Sequence, residues 1–94
     1  MDSFIYSVWF LNTEAHQEDQ DREWIACVAI QATTAVEAQK WGDTLANERS
    51  RRLPKDAFVR SSVEREVEVS GVTVWSELPR ITAGQIASDA AIGW

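Results

Sequence analysis

Three groups of residues in this 94-residue chain have types and spacing that could do chemistry. The first is a run of cations. Arg49, Arg51, Arg52, Lys55 and Arg60 place five of the nine basic residues within twelve positions. Guanidinium groups at this density suit an anion or phosphate, or the acidic groove of a protein partner. At the end of a helix they also offset the negative pole of its dipole. The second group is His16 among Glu14, Glu18, Asp19 and Asp21. Imidazole and carboxylates are metal ligands, but this spacing matches no ordered ligand set and lacks the central glycine of a calcium loop. We read it as a solvated acidic loop and assign no metal site. The third group is Glu64, Glu66 and Glu68. Carboxylates do acid–base work when they share a pocket. Here their alternation places them on a wet strand face instead.

The remaining reactive groups are isolated. Cys27 stands between Ala26 and Val28 in an apolar run, the setting of a small buried hydrophobe rather than a thiolate. One cysteine excludes an internal disulfide and a cysteine zinc cluster, and makes a reducing cytoplasm the expected compartment. The four glycines are not clustered, so neither a phosphate loop nor a dinucleotide fingerprint is present. No catalytic residue and no cofactor is assigned. If a pocket existed between sheet and helix or between two copies, position alone would offer Tyr6, Glu64 and Arg60 to it.

These residues must be held by an α+β fold of one small domain, 1–94. Residues 4–11 read as a strand, with Phe4, Tyr6, Val8 and Phe10 on one face and Ile5, Trp9 and Leu11 on the other. Residues 23–32 read as a second strand, again apolar on both faces. Residues 33–52 read as the long helix. Thr34 and Glu37 fit a capping box, and Ala38, Trp41, Gly42 and Leu45 form its apolar stripe. Gly42 inside that stripe suggests a close approach to the sheet, since it otherwise costs about 1 kcal/mol against alanine. Pro54 ends the helix. Residues 57–69 read as a strand with Val59, Val63, Val67 and Val69 against a charged face. Ser70-Gly71 reads as a turn and Val72 to Trp75 as a last strand. Thr82 and Gln85 suggest the cap of a short C-terminal helix that ends at Gly93.

The order is β-β-α-β-β-α. A helix between strands two and three makes them parallel; strand one, apolar on both faces, fits between them, and the simple order 1-2-3-4 is the alternative. The expectation is a two-layer sandwich, a four-stranded mixed sheet with the long helix on one face. One helix covers one face only. The C-terminal segment from Ile81 to Trp94 is expected to cover part of the other, and a second copy of the chain the rest. Trp9, Trp75 and Trp94 are the candidate interface residues, because tryptophan dominates interface hot spots.

Composition narrows the function further. Nine basic against fifteen acidic residues give a net charge of −6, the wrong sign for a general phosphate-backbone binder. The apolar run at residues 4–11 is too short to span a bilayer, which takes about 20 residues. It also lacks the basic flank of a signal peptide. The expected function is that of a non-catalytic cytoplasmic interaction protein, self-associating through an apolar sheet face. The alternatives are a small-ligand-binding protein or enzyme, and an acidic inhibitor that imitates nucleic acid.

Overall fold

The computed structural model describes residues 2–14, 22–66 and 78–94. Its elements are β1 (Asp2–Asn12), β2 (Glu23–Ala32), α1 (Ala35–Arg52), β3 (Asp56–Arg65), β4 (Arg80–Thr82) and α2 (Asp89–Ile92). The strands form one mixed sheet in the order β3-β1-β2-β4. β1 runs antiparallel to both β2 and β3, so it separates two mutually parallel strands. The fold is α+β, with α1 laid across one face of the sheet.

The register fixes the two faces. Phe4, Tyr6, Val8 and Phe10 of β1 lie beside Ile30, Val28, Ala26 and Trp24 of β2. With Ala38, Leu45, Ala46 and Ile81 they form the layer between sheet and helix. α1 starts where the sequence says it must: Thr34 takes the Glu37 N–H on its hydroxyl at 3.1 Å. The helix buries Ala38, Gly42, Leu45, Ala46 and Arg49. Trp41 flanks this stripe and is packed half-buried against the core.

Three details differ from the sequence reading. The fourth described strand is Arg80–Thr82, parallel to β2, where the sequence reading assigned only Thr82, as a helix cap. The Val72 to Trp75 strand and the 70–71 turn lie outside the described residues. Thr82 and Gln85 do bond to each other, but across a turn: the Gln85 side chain accepts the Thr82 N–H at 2.9 Å. Gly84, at φ +87°, takes the position where a type II turn needs a positive φ. The second helix begins later, capped by Ser88. Residue Val59 also leaves its expected face. Trp9 pairs with Arg60 but Phe10 pairs with Phe58, so Val59 is the extra residue of a bulge and is 42% exposed.

The largest correction concerns the C-terminal segment. It packs on the same side as α1, not on the second face. The parallel pairing sets Ile81 opposite Ile30, which points into the helix layer. Ile92 and Trp94 join that layer, and Trp94 meets Phe10 edge-on at 5.6 Å. Arg52 clamps the segment to the helix through both oxygens of Asp89, at 2.8 and 2.9 Å.

Gly42 shows how closely α1 rides on the sheet. A Cβ placed there would stand 2.5 Å from the Tyr6 ring. Helix propensity alone makes Gly42→Ala stabilising by about 1 kcal/mol, whereas overpacking a close contact costs roughly 1–3 kcal/mol. Tyr6 is fully buried and cannot withdraw, so the clash wins. Urea denaturation of Gly42→Ala is expected to show a net loss of stability; an unchanged or raised midpoint would mean that the helix yields.

Candidate functional site

The five cations of the arginine run do not converge. Arg49 turns inward and is 7% exposed. Its NH1 donates to Asp56 Oδ2 at 2.9 Å, and its guanidinium lies 5.1 Å from the ring centroids of both Phe10 and Trp24. Trp24 completes the cluster by donating its indole N–H to Asp56 Oδ1 at 3.1 Å. Arg52 is held by Asp89. Arg60 crosses the opposite sheet face, 4.6 Å above the Trp9 ring, and meets Glu23 at 3.2 Å. Arg51 and Lys55 are exposed on the helix end and the following turn. An anion would meet two of these five charges, not a convergent set.

Tyr6, Glu64 and Arg60 are also separated. Tyr6 faces the helix, while Glu64 and Arg60 pair with Ile5 and Trp9 on the other face. The Tyr6 hydroxyl donates to Asp43 Oδ1 at 2.7 Å, and Ser61 donates to the same oxygen at 2.6 Å. Gln39 donates in turn to the Ser61 hydroxyl at 3.1 Å. A buried phenol needs an acceptor, and Asp43, one residue past the inward Gly42, is placed to supply it. The sequence reading missed both Asp43 and Asp56. Their only signal was indirect: a tyrosine and an arginine at core positions each require a partner.

Burial pushes the Tyr6 pKa upward, and its bond to the Asp43 carboxylate adds to the effect. The phenol therefore serves as a donor and not as a base near neutrality. Asp43 also borders a groove of about 640 Å³ along α1, with Lys40, Asn47 and Arg51. A second groove, of about 330 Å³, lies between α1 and the Thr82–Gln85 turn.

The sheet face away from α1 is closed at one end and open at the other. At the closed end Ile5 and Ala29 are buried, and Arg80 reaches from β4 to Ser3 and to Glu66. The Arg80 guanidinium, with a further bond from Ser3, holds the Glu66 carboxyl down at about 2. At the open end Ile25 is 50% exposed, beside half-buried Trp9, Leu11 and Cys27. Cys27 lies 3.4 Å from the Ser7 hydroxyl. Trp94 is in the helix layer, so of the three tryptophan candidates Trp9 alone is placed on this face. Trp75, His16 and Glu68 lie outside the described residues. Among the described residues no three metal-ligating side chains come together, and no helix is long and apolar enough to cross a membrane.

Comparison with protein-family models, with curated proteins and with solved structures finds no match.

The chain holds one tyrosine, so its titration is readable without assignment. The folded pKa is raised above the unfolded value of 10.0. The stabilising contribution is thus complete below pH 10 and is lost as pH rises beyond it. Tyrosinate absorbance is expected to appear only together with alkaline unfolding, monitored by far-UV circular dichroism. Ionisation near pH 10 in a chain still folded would contradict the buried hydrogen bond.

Proposed function

We propose that this chain is a non-catalytic interaction protein that pairs with a second copy of itself through the open end of the sheet face. The observation that supports this reading is Ile25, an isoleucine half-exposed near the start of a paired strand and bordered by Trp9, Leu11 and Cys27. Apolar side chains grouped in this way mark contact surfaces more often than scattered ones do.

The charges around the patch are self-complementary. Glu23 on β2 stands beside Leu11 and Arg60 on β3 beside Trp9, on either side of β1. A two-fold axis along β1 stacks β3 of one copy on β2 of the other. That arrangement lets Arg60 and Glu23 exchange partners between copies, with like charges kept apart. Size sets the strength. Three strands about 4.8 Å apart, over about four residues, offer roughly 200 Å² per copy. Stable interfaces bury about 1,200–2,000 Å² in total, so the pairing is weak, with Kd near 0.1 mM or above.

The nucleic-acid-mimic reading draws less support. Asp2, Glu23, Asp56, Glu66 and Asp89 each meet an arginine, which removes them from any phosphate-like row of free charge.

Sedimentation velocity over a concentration series tests the proposal. The unmodified chain should sediment faster as concentration rises toward the millimolar range. Ile25→Asp should hold it at the monomer value. Ile86→Asp should behave as the unmodified chain, because Ile86 is 90% exposed but lies after the β4 turn. A chain that stays monomeric throughout, or an Ile25→Asp variant that still associates, would overturn the reading.

A further inference from the structure

The groove between α1 and the Thr82–Gln85 turn has a different chemistry from the sheet face. Glu37, Lys40, Trp41 and Thr44 of α1 form one wall, and Ala83 and Gly84 form the other. Its volume of about 330 Å³ is at the small end of ligand sites, which run from about 300 to 1,000 Å³, and suits a single ring system rather than a nucleotide. The far wall carries no side chain at Gly84, where nothing lies within 4 Å of the place a Cβ would occupy.

Three polar features bear on what could sit there. Trp41 Nε1 is buried without a hydrogen-bond partner, a state that native structures seldom leave unexplained. Lys40 and Glu37 stand one helical turn apart on the same wall, and neither is in an ion pair among the described residues. Thr44 is already committed, its hydroxyl donating to the Lys40 carbonyl at 2.9 Å. The wall therefore presents an aromatic side chain, one cation and one anion, and the indole of Trp41 holds a buried donor lacking an acceptor.

We propose that this groove binds a small aromatic zwitterion of the α-amino-acid class. Its ring lies against Trp41, its carboxylate meets Lys40 and its ammonium meets Glu37. A small rotation of the indole edge toward the groove gives the Trp41 N–H the same carboxylate as acceptor. Both charged contacts lie at an exposed rim, so each contributes modestly and the affinity is in the millimolar range.

The test is a set of ¹H–¹⁵N titrations of the labelled full-length chain with phenylalanine, phenylacetate and phenethylamine, the last two each lacking one charge. Phenylalanine should move the assigned Trp41 indole and Gly84 amide signals saturably. Lys40→Gln should weaken phenylalanine and phenylacetate roughly two- to fivefold and leave phenethylamine unchanged. Glu37→Gln should do the reverse, weakening phenylalanine and phenethylamine only. Both side chains are on the helix surface, so neither change threatens the fold. Absence of saturable movement at Trp41 and Gly84, or equal responses of all three proteins to all three ligands, would overturn the proposal.

Discussion

The guanidinium of Arg49 lies over the adjacent rings of Phe10 and Trp24 and is tied to Asp56. Through these contacts one side chain of α1 touches β1, β2 and β3. Its side chain and that of Asp56 are each 9% exposed, so both charges depend on one another and on the two aromatic faces. A buried cation held over aromatic rings gains about 2 kcal/mol or more, while a buried charge stripped of its partner costs roughly 3–5 kcal/mol. The cluster therefore fixes where the C-terminal end of the helix can sit. Asp56 opens β3, so the same pair also sets where the chain re-enters the sheet. Trp94 packs edge-on against Phe10 and brings the C-terminal segment to this point. The Tyr6–Asp43–Ser61 network does the equivalent work in the middle of the helix, where Gly42 lets the Tyr6 ring approach.

This use of charge shapes what the molecule can bind. Of the four arginines in the run, Arg49, Arg52 and Arg60 are engaged by carboxylates of the same chain. Arg49 and Arg52 join the helix to β3 and α2, and Arg60 and Arg80 reach across the second sheet face. What that face leaves open is a small apolar area around Ile25, beside the Arg60–Glu23 pair that crosses Trp9. A surface of that kind suits weak, orientation-specific contact rather than tight binding. The helix side offers grooves rather than a flat patch.

Much of the architecture was legible because its causes are local. Short apolar runs rich in aromatic and β-branched residues define β1 and β2, and Thr34 caps α1; the two apolar faces of β1 agree with its place inside the sheet but left the strand order open. Gly42 announced a close approach, and the Tyr6 ring is what approaches. The site was less legible because its partners are distant in sequence. Nothing near Arg49 distinguishes it from Arg51 and Arg52 until helical phase is followed one turn past Leu45, which turns it to the core. The Thr82–Gln85 spacing was ambiguous for a physical reason: a side chain reaching back to a backbone N–H three residues earlier is half of a capping box, and here it forms across a type II turn whose own bond runs from the Gln85 N–H to the Thr82 carbonyl. The packing side of the C-terminal segment depended on the register of a three-residue strand, which no periodicity reveals.

The central claim is that Arg49 and Asp56 act as one unit holding the helix end to three strands. A double-mutant cycle in urea, with Arg49→Met, Asp56→Leu and the pair together, measures this directly. The account predicts that each single change costs about 3–5 kcal/mol, because each strands a buried charge. It predicts that the double variant, with both charges gone, loses clearly less than the sum. Single losses below about 1 kcal/mol that simply add would show two independent surface-like residues, and would contradict it.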